Sequence, residues 1–301
     1  MKFRFYLLFT LFSLLFLFYP GDSHYYHIFA FRRDLFAPRA KPESLSHRPF
    51  PYPISQYPPA ITADGAYIAD RDTFTPVYQK NEHRRFLPAS TTKIITALVS
   101  YDLYKLDDVI VVKQLHEDGQ VMGLVEGEKI TVENLLYGAL VQSGNDAAFA
   151  LAGPYGMDRF VEKMNEKAKQ LSMNDSHFRN PAGLDAFDQQ SSSYDLALAG
   201  RALLNNKYLS KIVSTKAITI SDVDFKYFHK LTNVNKLLGE LQGIGGLKTG
   251  FTEEAGENLV TLYKRKDGHE FIIVILKSLD RFKDTTNVVN WLETNVAYQP
   301  I

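Results

Sequence analysis

Eight of the chain's thirteen prolines fall between residues 20 and 59: Pro20, Pro38, Pro42, Pro49, Pro51, Pro53, Pro58 and Pro59. A stretch such as Pro49-Phe-Pro51-Tyr-Pro53 can neither continue a helix nor donate regularly to a sheet, because proline has a fixed φ and no N–H. The folded body must therefore lie elsewhere, and the segment reads as a semi-rigid, extended tether. Ahead of it, Lys2 and Arg4 precede an apolar run from Phe5 to Tyr19. As a helix that run would span roughly 22 Å, short of the ~30 Å bilayer core. A basic head and a run of this length suit a secretory signal. No A-x-A site is present, and the small pair Gly21 and Ser23 would put cleavage after Ser23. Retention as a membrane anchor is the equal alternative, with the body facing outward because the basic residues precede the run. We therefore expect a signal peptide or N-terminal membrane anchor over 1–23, a tether over 24–59 and a folded body over 60–301, outside the cytoplasm.

Lys plus Arg equals Asp plus Glu, 34 against 34, whereas proteins that grip nucleic acid along a track are usually strongly basic. No nucleic-acid partner is expected. The chain has no cysteine, which excludes disulfides, thiolate nucleophiles, iron–sulfur clusters and cysteine-bound zinc. None of its eight histidines forms an H-E-x-x-H pair, so neither a metal nor another cofactor is expected.

From about Ala60 the texture changes. Ala66 to Ala69 and Thr75 to Gln79 read as a first strand pair. A helix opens at Pro88-Ala-Ser90, with Ile94, Ala97, Leu98 and Tyr101 on one face. Val109 to Val112 is a short β-branched run. Val132 to Gln142 reads as a helix capped by Thr131, and Met157 to Leu171 as another with Phe160, Met164, Ala168 and Leu171 inward. Leu259 to Tyr263 and Phe271 to Leu276 are joined through Asp267-Gly268, a strong hairpin signal. Thr285 to Val296 reads as a closing helix. Strands, a long helical middle, more strands and a helix predict an α/β chain of the α+β type. Its antiparallel sheet would be flanked by helices, with a mostly helical lobe inserted and a cleft between the two.

Three short patterns carry polar chemistry. Ser90-Thr-Thr-Lys93 places a hydroxyl and an amine three positions apart, on one side of a helix. A serine is a poor nucleophile until a base takes its proton, and a lysine can act as that base if desolvation or a second cation lowers its pKa. The bland alternative is a capping serine with a solvated lysine. Ser143-Gly-Asn145 follows an apolar helix, where a tight bend can turn two polar side chains into a cleft; alone it is equally a helix-breaking turn. Lys248-Thr249-Gly250 follows Gly245-Gly246, and on a strand edge it would let a substrate backbone lie close while a carboxylate meets a cation.

The three in this order form the signature of serine enzymes that handle penicillin and D-alanyl peptides. From about Ala60 to Asn295 the chain resembles the D-alanyl-D-alanine carboxypeptidases, the low-molecular-mass penicillin-binding proteins. The resemblance extends through Leu87-Pro-Ala-Ser90-Thr-Thr-Lys93, Gln142-Ser-Gly-Asn-Asp146, Phe178-Arg-Asn-Pro-Ala-Gly-Leu-Asp185, Gly246-Leu-Lys-Thr-Gly-Phe-Thr252 and Asp280-Arg281-Phe282. It implies the serine β-lactamase/D,D-peptidase-like fold and an acyl-enzyme mechanism. Ser90 would attack the bond between two terminal D-alanines, with Lys93 as its base, and Ser143 would pass a proton to the leaving amine. Asn145 would hold Lys93 and the substrate amide. Lys248 would keep Lys93 partly neutral and, with Thr249 and Arg281, bind the terminal carboxylate. Gly250 lets the substrate backbone lie against the strand, and the amides of Ser90 and Phe251 would form the oxyanion hole. The implied partners are peptidoglycan stem peptides, β-lactams as acylating inhibitors, and the membrane if residues 1–23 are retained.

Related activities share these residues. A serine β-lactamase needs a base for its deacylating water, yet Glu162 and Glu166 fall within an expected amphipathic helix and the loop around Asn180-Pro181 has no glutamate. A D,D-endopeptidase would use the same groups on a crosslinked peptide. A non-catalytic wall-binding protein would have no need of the full polar set. Many relatives carry a further β-rich domain and an amphipathic C-terminal helix, whereas this sequence runs to Ile301 shortly after its last expected helix. On this reading any membrane attachment comes from residues 1–19.

Overall fold

A computed structural model describes residues 2–17 and 49–299 of the chain. They fall into two units, residues 1–48 and 49–301. In the first, helix α1 (Lys2–Leu17) is mostly apolar after Lys2 and Arg4, interrupted by Thr10 and Ser13. Among the described residues no helix is long and apolar enough to cross a membrane. Cleavage after Ser23 and most of the expected tether lie outside the described residues.

The second unit runs β1 (Pro51–Pro53), β2 (Gly65–Asp70), β3 (Pro76–Lys80), a 3₁₀ turn (Ala89–Thr92) leading into α2 (Lys93–Leu103), β4 (Val109–Val111) and β5 (Lys129–Thr131). Next come α3 (Val132–Leu140), α4 (Asn145–Ala152), α5 (Met157–Gln170), α6 (Ser193–Asn205) and α7 (Lys207–Val213). The hairpin β6 (Ala217–Ser221) and β7 (Phe228–Thr232) precedes β8 (Ile244–Thr252), β9 (Gly256–Lys264), β10 (Glu270–Ser278), α8 (Arg281–Asn295) and β11 (Val296–Tyr298).

The central sheet is antiparallel in the order β3-β2-β10-β9-β8, so strands from both ends of the chain meet in its middle. Side chains alternate across a pleated strand, and in β10 both alternating sets are apolar. Ile272, Val274 and Leu276 face the helical side, where Leu196, Ala199 and Leu203 of α6 cover them. Phe271, Ile273 and Ile275 face Val288, Trp291 and Leu292 of α8. Burial on both faces explains why this strand reads as a continuous apolar run. The expected antiparallel sheet with helices and an inserted helical region is thus the observed architecture. Helix α3 ends two residues earlier than expected, and α8 begins four residues sooner. There the Asp280 carboxylate accepts from the Phe282 and Lys283 amides and caps the first turn.

The expected tether boundary at residue 59 moves. Pro51, Tyr52 and Pro53 pair antiparallel with Tyr298, Ala297 and Val296. A proline-rich strand is tolerated because this is a two-stranded ribbon with an open outer edge, where missing N–H groups cost nothing. Ile54 donates to the Asn295 carbonyl (2.8 Å), and the Trp291 indole N–H donates to the Tyr57 carbonyl (2.8 Å). Further on, the buried Asp284 carboxylate accepts from the Thr62 and Ala63 amides and from Ser278 Oγ (2.6 Å), fixing the entry to β2.

Ile273 is fully buried at the centre of the sheet. Ile273→Ala should therefore lower the unfolding free energy by about 3 kcal/mol, with an unchanged dependence on denaturant concentration in urea titrations.

Candidate active site

The site assembles where the 3₁₀ turn, the α3–α4 bend and edge strand β8 converge. Ser90 lies in the turn and Lys93 is the first residue of α2. Their three-residue spacing brings Lys93 Nζ within 2.8 Å of Ser90 Oγ. The same nitrogen lies 2.6 Å from Asn145 Oδ1 and 2.7 Å from the Ala182 carbonyl oxygen. Lys93 is fully buried, and burial lowers its pKa to about 7 against the opposing pull of Asp146. A neutral amine has two N–H donors and one lone pair. With Asn145 and Ala182 taking the two donors, the lone pair is left facing the Ser90 hydroxyl. Burial is the largest cause of the lowering, and the coupling to Lys248 that the resemblance implies is present as well, lowering the pKa of Lys248.

Lys248, also buried, lies on β8 and donates to Ser143 Oγ (2.7 Å) and to the Thr249 carbonyl (2.8 Å). Burial, then Lys93 and Arg281, hold its pKa well below the ordinary lysine value. Two desolvated amines coupled in this way titrate as a pair. Arg281, at the start of α8, donates to the Gly250 carbonyl (2.8 Å), while its own amide donates to Glu257 (2.9 Å). Its Nε is buried without a hydrogen-bond partner. Thr249 is buried beside Lys248, and Phe251 is 58% exposed at the rim.

All nine residues singled out from the sequence thus fall in one connected cluster: Ser90, Lys93, Ser143, Asn145, Lys248, Thr249, Gly250, Phe251 and Arg281. Backbone geometry holds it together. Ala89 and Ser143 both adopt left-handed φ values, +48° and +64°, a conformation that costs a non-glycine residue about 1–3 kcal/mol and tends to mark functional turns. The two strained positions sit one residue before Ser90 and at Ser143 itself. Gly250 permits close approach: a Cβ there would lie 3.0 Å from the Pro88 carbonyl oxygen and 3.1 Å from the Ser90 amide nitrogen. At Gly183 (φ +85°) a Cβ would come within 1.9 Å of the Ala89 carbonyl oxygen.

Sequence reasoning assigned no role to several groups that complete the site. The Ala182 carbonyl is one; it is presented by a loop in which Asn180 Oδ1 accepts from the Gly183 and Leu184 amides. The Asp118 carbonyl accepts from Asn145 Nδ2 (2.6 Å), and the Gln120 carbonyl accepts from the Asn145 amide (2.7 Å). Backbone carbonyls carry no sequence signal. The segment 178–185 is visible in the sequence only as part of the longer resemblance.

Comparison with known proteins agrees with this geometry. The peptidase S11 family, D-alanyl-D-alanine carboxypeptidase, matches residues 53–279. The chain is 34% identical over 227 residues to the D-alanyl-D-alanine carboxypeptidase DacF of Bacillus subtilis, covering 71% of this chain and 57% of the relative. It is 32% identical over 268 residues to DacD of Escherichia coli, a protein of the same description, covering 81% and 66%. The chain thus spans roughly three fifths of the length of these curated relatives. Among solved structures, a D-alanyl-D-alanine carboxypeptidase from Mycobacterium tuberculosis superimposes with a TM-score of 0.75 at 26% identity, covering 83% of this chain and 99% of that one. The chain belongs to the D-alanyl-D-alanine carboxypeptidase family.

Two outcomes follow from the geometry. If neutral Lys93 is the reactive form, the rate of acylation by a fluorescent penicillin should rise with pH through a midpoint near the Lys93 value of about 7. Gly183→Ala should slow that acylation about a hundredfold by displacing the Ser90 turn, while circular dichroism shows the fold retained.

Proposed function

We propose that the chain is a serine-type D-alanyl-D-alanine carboxypeptidase that removes the terminal D-alanine from peptidoglycan stem pentapeptides. The observation that carries this reading is the buried Lys93 amine 2.8 Å from Ser90 Oγ, with its pKa lowered to about 7. In the acylation step Ser90 Oγ attacks the carbonyl of the penultimate D-alanine as its proton passes to Lys93 Nζ. The backbone amides of Ser90 and Phe251 take the developing oxyanion, and Gly250 lets the substrate backbone lie against β8. As the tetrahedral intermediate collapses, Ser143 passes its proton to the departing amine and regains one from Lys93 Nζ, so that D-alanine leaves with Lys93 neutral again. Water then attacks the ester as Lys93 Nζ accepts its proton, and that proton passes to Ser90 Oγ as the ester C–O bond breaks, releasing the shortened peptide and regenerating Ser90 and neutral Lys93.

Carboxylate recognition falls to Lys248, Thr249 and Arg281. The unpartnered Nε of Arg281 supports this, since a buried guanidinium N–H without an acceptor favours an anionic ligand. A β-lactam would acylate Ser90 as the peptide does. The loop that presents Ala182 has no glutamate between residues 178 and 188, which favours a peptidase over a β-lactamase. Residues 1–23 would serve as signal or anchor, delivering the catalytic unit to the outer face of the cytoplasmic membrane.

Incubation of the protein with diacetyl-Lys-D-Ala-D-Ala should release D-alanine, and Ser90→Ala should abolish both this release and penicillin labelling. Labelling without release, together with cleavage of a crosslinked dimer, would reassign the chain as an endopeptidase. Failure of both reactions would leave a wall-binding protein.

A further inference from the structure

Asp146, immediately after Asn145, takes no part in the mechanism above. Its side chain is buried, 5% exposed. The carboxylate accepts from the backbone amides of Met122 (2.9 Å), Gly123 (2.9 Å), Leu124 (3.0 Å) and Ala147 (2.8 Å). Its hydrogen-bond partners are thus all uncharged amides, while the buried cations of the cleft, Lys93 and Lys248, have uncharged partners of their own. A buried charge is expensive unless something offsets it.

The other charged side chains around Lys93 are differently placed. Lys248 comes from β8. Arg281 comes from α8, with half-buried Glu257 and exposed Asp280 beside it. The 113–124 segment contributes Lys113, His116, Glu117 and Asp118, and the 178–188 loop contributes Arg179, Asp185 and Asp188; their carboxylates are exposed and screened by water. Asp146 is the one carboxylate among these that shares the buried surroundings of Lys93.

We propose that Asp146 is a positioning residue for the peptidase reaction, clamping residues 122–124 beside Asn145 and supplying the buried counter-charge to the Lys93 amine. The inference rests on Lys93 acting as base, the reading given above. The clamp and the charge belong to one group. The segment held by the carboxylate continues from Asp118 and Gln120, whose carbonyls fix the Asn145 amide and side chain, and Asn145 in turn fixes Lys93. The negative charge favours the ammonium form of Lys93 and so works against its desolvation. Without it the lysine would lose its proton at lower pH and become a weaker base.

The test compares the full chain with Asp146→Asn and Asp146→Glu, following acylation by a fluorescent penicillin and release of D-alanine from about pH 5 to pH 9. Removing the charge should move the acidic midpoint of the acylation rate down by about one pH unit, and Asp146→Glu should bring it back toward the parent value. A slower rate with an unmoved midpoint in Asp146→Asn would reduce Asp146 to a structural clamp and overturn the counter-charge. Should Asp146→Asn fail to fold, carbon-13 labelling of aspartate in the parent chain decides the matter. The resonance that disappears in Asp146→Glu identifies Asp146, and its response to pH should show a step that coincides with the acidic midpoint of acylation, as a charge coupled to the Lys93 amine requires; no response at that midpoint would overturn the counter-charge. Absence of D-alanine release with intact penicillin acylation would overturn the peptidase reading alone, because the acylation midpoint is read without the peptide.

Discussion

The site depends on one physical constraint, the complete burial of the Lys93 amine. An ammonium removed from water loses several kcal/mol of solvation, and the surrounding groups either compensate that loss or exploit it. Asn145, Ala182 and Ser90 offer three oxygens within 2.8 Å, enough to satisfy a charged amine. They equally suit a neutral one whose lone pair meets the serine hydroxyl. Desolvation brings the two states close in energy near neutral pH, so a small change in surroundings can move the proton. A lysine with its head group in water, as the bland reading of Ser90-Thr-Thr-Lys93 supposed, would remain charged and could not accept that proton.

Keeping such an amine dry requires walls on every side, and the three-layered body supplies them. The sheet is covered on one face by α8 and on the other by α6 and its neighbours, leaving β8 as the edge that borders the cleft. Glycine at position 250 lets that edge pass against the backbone of the Ser90 turn, and Gly183 lets the 178–185 loop reach the Ala89 carbonyl. Side chains larger than hydrogen at either place would separate the layers that exclude water. The left-handed backbone at Ala89 and Ser143 belongs to the same design. Strain of this kind persists only where the surrounding packing over-determines the conformation.

Charge is handled in a similarly local way. Lys93, Lys248 and Arg281 converge on a small volume, and the structure disposes of their repulsion by lowering the proton affinity of Lys248 and by distributing carbonyl oxygens among them. The cleft is therefore suited to an anionic ligand before one arrives. This fits the carboxylate terminus of a D-alanyl peptide, whose binding would favour the protonated form of nearby amines.

The amino-acid sequence by itself determined the reactive groups and much of the scaffold. Ser90 and Lys93 are forced onto one side by the helical period, and Leu259 to Tyr263 and Phe271 to Leu276 are forced into a hairpin by Asp267-Gly268. Thr131 caps its helix as a hydroxyl before an apolar run should. Local rules suffice for these features because the interactions span a few residues. The ribbon of Pro51–Pro53 with Val296–Tyr298 escaped them, since its partner lies some 245 residues away and its prolines argue locally against any strand. The same holds at the site. That Ser143 meets Lys248, that Gly250 touches the Ser90 turn and that Ala182 turns its carbonyl to Lys93 are contacts between segments 89 to 160 positions apart. Only the tertiary structure decided them, and with them the burial that lowers the Lys93 pKa, because desolvation is a property of the packed layers and not of any stretch of chain.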